Sequence, residues 1–231
     1  MVLYTPGGTT SYPDTPIANG IRIHFLGGGE EVGNVGVVLE DSTSTRLLID
    51  YGLAPSSPPR YPMEAPPITD AIFTHAHIDH IGMAPWLVGN HQTTLHATEL
   101  TATLSRLMWK DTYKVSSIEG YPLPWDRRDE DEAKGAWIPH SYGKWVDFGP
   151  WKWQLHPAGH VPGAAMIEID TPEFKILHTG DMDTRSSPNT IGATPVECDI
   201  LLLEGTYAGR EHPNRAEEET RFLAKVVEVV E

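Results

Sequence analysis

The sequence predicts an α/β protein, on three observations. Short apolar runs of strand length recur through the first eighty residues. Stretches with helical spacing of apolar residues follow them. Acids and histidines stand repeatedly where the apolar runs end, so that polar groups can converge over one edge of a sheet.

With 231 residues the chain has room for one large domain or two small ones and a real core. No apolar run approaches a membrane span, and the first twenty residues lack the basic-then-apolar pattern of a secretory signal. Cys198 is the only cysteine, which excludes internal disulfides and a cysteine zinc ribbon. A reducing compartment, the cytoplasm or a eukaryotic nucleus, is expected. Net charge is −15, with 32 acids against 17 lysines and arginines. That balance opposes nonspecific binding of nucleic acid, which needs cations to release counterions. Any polyanion must be held by a local cationic patch or by metal.

Residues 1–20, rich in Gly, Pro, Thr and Ser, read as a flexible leader. Ile21 to Leu26 alternates as a strand. The glycine-rich stretch Gly27 to Gly33 is followed by a second strand, Val35 to Leu39. A dinucleotide fingerprint would open a helix instead, so this is a tight strand-to-strand turn. Arg46 to Asp50 is a third strand ending in an acid, and Pro55 to Pro67, with six prolines, is an irregular surface loop. Asp70 to Thr74 is a strand that delivers His75, His77, Asp79 and His80 within six positions. Alternation along an extended segment puts His75 and His77 on one side. The turn into a helix over Gly82 to Gly89 swings Asp79 and His80 towards a neighbouring point. Imidazole nitrogen with carboxylate oxygen is a donor set that zinc prefers.

Thr94 to Ala97 reads as a short strand and Glu99 to Lys114 as a helix, with Leu100, Leu104, Leu107 and Met108 as its core stripe. Residues 115–144 are the least regular part. Trp125, Trp137, Trp145, Trp151 and Trp153, in or near it, read as packing residues rather than a base-stacking platform. Gly149-Pro150 marks a hairpin turn into the strand Trp151 to Leu155. His160, Asp181 and Glu204 then stand at or just beyond the ends of apolar runs. His24, His91, His96, His140, His156, His178 and His212 lack comparable context and read as structural. His178, so near Asp181, is the one to revisit.

The order Asp50, His75-x-His77-x-Asp79-His80, His160, Asp181 resembles the metallo-β-lactamase superfamily. The flanking segments Gly27 to Gly33, Gly159-His160-Val161-Pro162-Gly163, Thr179-Gly180-Asp181 and Glu204-Gly205-Thr206-Tyr207 resemble its β-CASP nucleases. These include the mRNA 3′-end cleavage endonuclease and its archaeal relatives, and the resemblance covers residues 21–231. It implies an αββα sandwich, incomplete at the C-terminus, that hydrolyses single-stranded RNA with two zinc ions. In that family pattern His75, His77 and His160 hold the first zinc. Asp79 and His80 serve the second, Asp181 bridges, Asp50 braces the metal loops, and Glu204 supports a ligand histidine or proton transfer. Two alternatives belong to the same fold: a small-molecule hydrolase acting on thioesters or lactams, against which Glu204-Gly205-Thr206-Tyr207 argues, and a non-catalytic partner subunit, against which the intact ligand set argues.

The resemblance also divides the chain into the leader, a metallo-β-lactamase domain over 21–212, and a helix over 213–231 leading towards a β-CASP domain. Asn214 with Glu217 reads as that helix's capping box, and Phe222, Val226, Val229 and Val230 as its apolar stripe. Without the family's later histidine motifs, the second zinc is expected to be under-ligated and the chain to self-associate. No membrane partner is expected; a homodimer or processing-complex subunits are.

Overall fold

The computed structural model of the chain describes residues 16–17 and 20–230. Most of the segment read as a leader therefore lies outside the described residues. Its Pro16–Ile17 forms β1, paired antiparallel with β2 (Ile21–Gly27).

The first sheet changes character halfway across. β1, β2, β3 (Gly36–Glu40) and β4 (Arg46–Tyr51) form an antiparallel meander. β5 (Asp70–Ile72), β6 (Thr94–Ala97) and β7 (Trp137–Pro139) then extend it in parallel. Parallel neighbours need crossovers, and helices supply them: α1 (Ile78–Ile81) and α2 (Ala84–His91) before β6, then α3 (Glu99–Glu119) and α4 (Arg127–Gly135) before β7. The second sheet runs β12 (Ile200–Leu202), β11 (Lys175–His178), β10 (Ala165–Asp170), β9 (Trp151–Pro157), β8 (Val146–Phe148). All its pairs are antiparallel except β11 with β12.

Both faces of the first sheet are buried, so its strands read as continuous apolar runs rather than alternating ones. Val37, Leu39, Leu47, Ile49 and Ile72 meet Trp153, Leu155, Ile167, Ile169 and Ile176 of the second sheet. On the opposite face Val38, Leu48, Ala71, Phe73 and Leu95 pack against Ile81, Leu87, Trp109 and Ala133 of the four helices. The layers are helix, sheet, sheet. α5 (Arg215–Val230) carries no buried residue, so among the described residues no helix covers the outer face of the second sheet. Phe222 is 67% exposed and Val226, Val229 and Val230 are exposed with it, which leaves the expected stripe without a partner. Asn214 Oδ1 caps the helix by accepting from Ala216 N–H and Glu217 N–H.

Three local expectations are corrected. The strand expected over Asp70 to Thr74 ends at Ile72, because Thr74 N–H is taken by a side chain, Asp50 Oδ1 at 2.8 Å, instead of a neighbouring strand. The supposedly irregular 115–144 region contains α4, fixed by a capping box in which Asp126 accepts from Asp129 N–H and Asp129 accepts from Asp126 N–H. α3 is rotated from the expected stripe. Its buried residues are Thr101, Ala102, Ser105 and Trp109, while of the stripe expected in the core Leu100 and Leu107 are exposed and Leu104 and Met108 only half-buried. The helix sits so close to the loop after His160 that only small residues fit. A Cβ added at Gly163 would lie 3.1 Å from Leu100 Cβ and from Thr101 N.

Of the five tryptophans in or near residues 115–144, Trp125, Trp151 and Trp153 are buried and Trp137 is half-buried. Trp145 is exposed beneath Lys152. The Gly27 to Gly33 stretch does join β2 to β3 as a turn.

Candidate metal centre

The C-terminal ends of β4, β5 and β11, with the β9–β10 loop, meet at one edge of the sandwich. His75 and His77 leave β5 on a loop rather than a strand, yet their rings still meet: His75 Nε2 lies 3.0 Å from His77 Nδ1. His160 Nε2, from the second sheet, lies 3.2 Å from the same His77 Nδ1. Asp181 Oδ2 is 3.6 Å from His160 Nε2 and 3.9 Å from His75 Nε2. These four donor atoms all lie within 4.8 Å of one another. A backbone bond from Ala165 N–H to Thr74 O (2.8 Å) pins the two sheets together beside them.

Asp79 and His80 stand on α1, next to this group and outside it. His80 Nε2 is 3.4 Å from Asp181 Oδ1 and 3.9 Å from Asp79 Oδ2. The Val35 N–H bond to Asp79 O (2.9 Å) and Leu53 N–H to Ile78 O (3.1 Å) hold the start of α1 against the ends of β3 and β4. Two indoles secure its far end, Trp109 Nε1 donating to Ile81 O (2.9 Å) and Trp125 Nε1 to Gly82 O (2.8 Å).

Gly52 makes this seating possible, since a Cβ there would fall 1.7 Å from Asp79 O. We expect Gly52→Ala to push α1 off the strand ends, lowering stability by about 1–3 kcal/mol and weakening metal binding. Urea titration with metal counting reads both effects; a variant matching wild type in both would show that the contact is slack.

Asp50 lies fully buried at the end of β4 with φ 55°, a left-handed conformation that a non-glycine residue holds only when its surroundings enforce it. Its Oδ1 accepts from Thr74 N–H, and its Oδ2 accepts from Thr74 Oγ1 (2.8 Å) and from His80 Nδ1 (2.7 Å). Thr74 has spent its one hydroxyl proton on Asp50, so His75 Nδ1, 3.0 Å from Thr74 Oγ1, must be the donor there. The proton of His75 is thereby fixed on Nδ1, and Nε2 turns a lone pair towards His77 and His160. For His80 likewise, Nδ1–H faces Asp50 and Nε2 faces Asp181. Sequence reading assigned Thr74 no part in this. The signal available was a hydroxyl wedged between an apolar strand and a histidine cluster.

The electrostatics follow from burial and crowding. His75 is held well below the usual histidine range by burial, then by His80, His77 and His160 around it. His77 is lowered by burial and by His160. Burial opposes charge on His80 too, but Asp50 and Asp181 outweigh it and push the ring up to about 10. Burial raises Asp181, and His80, His160 and His77 more than offset this, leaving it below the usual carboxylate range.

Glu204 closes β12, its Oε1 accepting from Met182 N–H (3.2 Å) and its Oε2 from Thr206 N–H (3.3 Å). It thus ties the strand end to the loop carrying Asp181. His178 is buried beside the site, its Nδ1 accepting from Gly180 N–H at 3.0 Å. The two stand with Asp79, His80 and Asp181 around one cavity, together with the Gly27 to Gly33 loop. No lysine or arginine lines that cavity, whereas Glu30 and Glu31 do.

The donor set fits a metal ion. Imidazole nitrogens 3.0–3.2 Å apart cannot all be hydrogen-bonded to one another, because His77 Nδ1 faces two ring nitrogens with at most one proton. A tetrahedral ion with bonds of about 2.0–2.1 Å places its ligands about 3.3 Å apart.

Two stacked sheets with helices on one side and a histidine–aspartate metal cluster at the strand ends define the class of fold. The metallo-beta-lactamase superfamily matches residues 28–196, and the chain belongs to it. Over 90% of its length the chain is 30% identical to RNase aCSPSF2 of Saccharolobus solfataricus. It is 32% identical over 91% to the probable RNase MJ4 of Methanocaldococcus jannaschii. Over 91% it is 31% identical to cleavage and polyadenylation specificity factor subunit 3 of Dictyostelium discoideum. It spans 43%, 51% and 29% of these relatives respectively. A solved B3 metallo-beta-lactamase with an active-site glutamic acid shares the fold, with a TM-score of 0.52 at 19% identity, over 88% of this chain and 86% of that one. The β-CASP resemblance drawn from the motifs is borne out by these relatives. No helix among the described residues is long and apolar enough to cross a membrane.

Proposed function

We propose that the chain is the catalytic metallo-β-lactamase portion, residues 21–212, of a zinc-dependent ribonuclease that hydrolyses phosphodiester bonds of single-stranded RNA. The observation that carries this reading is the convergence of His75, His77, His160 and Asp181 on one point, in a chain whose relatives are named as ribonucleases. Zinc is the metal suggested by three imidazoles and a carboxylate, with a second ion served by Asp79, His80 and Asp181. When bound, such ions bring the pKa of coordinated water towards ~7 and stabilise charge on attacking and leaving oxygens.

The chain's own residues supply the rest. Thr74 and Asp50 hold the protons of His75 and His80 on Nδ1, which leaves His75 Nε2 free as a ligand, while His80, charged between Asp50 and Asp181, must release its Nε2 proton to ligate. Asp181 has one oxygen towards each half of the centre. Asp79, at the start of α1 and part-exposed to the cavity, accepts the proton of the attacking water. Glu204 fixes the Asp181 loop through Met182 N–H. α5 leads towards a further domain, in keeping with the greater length of the relatives, and the working compartment is cytoplasmic or nuclear.

Asp79→Asn preserves shape while removing the carboxylate that would both serve the second ion and take the water's proton. We expect it to fold as wild type and to lose single-stranded RNA cleavage by at least ~100-fold. Cleavage at the wild-type rate, or turnover of nitrocefin or a thioester in place of RNA, would overturn the reading.

A further inference from the structure

We infer that the exposed face of α3 is a track for the phosphate backbone of single-stranded RNA, leading to the metal centre. The inference rests on the ribonuclease reading and adds the surface that holds the polymer.

The observation is a pattern of unpaired cations. Of the 17 lysines and arginines, all but Arg106, Lys110, Lys114, Lys144 and Arg210 stand within 4.0 Å of a carboxylate oxygen of the described residues. Three of these five lie on one helix at successive intervals of four, and all three are exposed. Positions four apart share a helix face, so the three cations form a row about 12 Å long. In a chain of net charge −15 an unpaired row of this kind is the local cationic patch that polyanion binding requires.

Neighbouring acids do not quench the row. On the adjacent α4, Glu130 and Asp131 hold Lys134, and Glu132 holds Arg128. Arg106 Nη2 donates to Lys134 O at 3.2 Å, which orients the guanidinium without neutralising it. On α3 itself Asp111 stands three residues before Lys114, a neighbouring position on the helix, but among the described residues it forms no ion pair with it within 4.0 Å.

The helix that carries the row also begins beside the site. Thr98 Oγ1 and Thr101 Oγ1, at the start of α3, both donate to Gly163 O (2.7 and 3.0 Å), three residues beyond His160. The helix therefore begins on the loop that supplies a metal-cluster histidine, and Arg106 follows about two turns later. The cavity at the cluster is lined by no lysine or arginine. A strand held there at its scissile phosphate needs anchoring elsewhere, and α3 provides it.

The test is the salt dependence of binding, by anisotropy of a fluorescein-labelled single-stranded 20-mer RNA at 4 °C, its integrity checked on a gel. Arg106→Gln, Lys110→Gln and Lys114→Gln combined should lower the slope of log K against log salt by about 2, and raise Kd ~10-fold or more, three contacts at about 0.7 each. A second triple variant, Arg128→Gln, Arg221→Gln and Lys225→Gln, makes the same change in net charge using paired cations and should leave the slope at its wild-type value. Equal losses in both triples would reduce the effect to net charge and overturn the track. An unchanged slope in the first triple, with RNA cleaved by wild type, would overturn the track while sparing the ribonuclease reading; the exposed Leu107 to Ile118 stripe would then point to a protein partner. Binding through the row by a wild type that cuts no phosphodiester would sustain the track and sink the nuclease.

Discussion

His75→Ala is expected to strip the cluster of firmly held metal and with it all measurable RNA cleavage. The ring is fully buried, and its Nε2 is one of the four convergent donors. Losing a group that merely orients a ligand typically weakens metal binding 10–100-fold. Removing the ligand itself should exceed the upper end of that range. Its place would be taken by a cavity between His80 and His160, whose rings now contact it. His160→Ala should behave alike, although His160 belongs to the other sheet. His212→Ala, an exposed ring against Tyr207, serves as the control. Elemental analysis after dialysis against a chelator reads the outcome. Full occupancy in both cluster variants would mean that the metal sits elsewhere.

Asp50→Ala is expected to cost more stability than any other single change at the site, about 3–5 kcal/mol, as when one partner of a buried charged pair is removed. Three donors would lose their acceptor together: Thr74 N–H, Thr74 Oγ1–H and His80 Nδ1–H. Alanine would also inherit φ 55° without the polar side chain that helps Asp and Asn tolerate it. Asp50→Asn separates folding from metal binding. Its amide oxygen can still accept from Thr74 N–H, but its NH₂ group would face His80 Nδ1 and drive the ring proton to Nε2. The folded protein should then lose metal affinity at His80 while keeping most of its stability. Urea midpoints with metal titrations measure both, and an Asp50→Ala protein as stable as wild type would remove Asp50 from its bracing role.

The elements were legible where one local rule governed them. β2, β3 and β4 are apolar runs with unambiguous turns, and each was found within a residue or two. His75 and His77 of the cluster were legible because metal chemistry demands particular side chains, and with Asp79 and His80 beside the cluster they fall in six consecutive positions. What stayed hidden depended on distant neighbours. Thr74 acquires its role only when Asp50, twenty-four residues earlier, comes within 2.8 Å of it. α3 misled for a similar reason. Periodicity locates its leucines on one stripe, but the side facing inward was decided by Gly163 O, which needs the hydroxyls of Thr98 and Thr101 beside it. α4 was obscured because its one buried charged residue, Glu130, is held by Arg127 and Lys134, so its sequence reads as a solvated charge run.

The bond from Ala165 N–H to Thr74 O marks a seam where the sheets touch, and the cluster straddles it. His77 and His160 are 83 positions apart, one on each side of that seam. An ion shared by them is a cross-link as well as a reagent. Closing a loop of that size in the unfolded chain removes entropy worth about 4–5 kcal/mol in the chain-entropy description used for disulfides. A sequence with a single cysteine has no sulfur route to such a tether within itself. Its metal centre can serve instead, so that chelation would loosen the sandwich along the seam at the same moment that it silenced the chemistry.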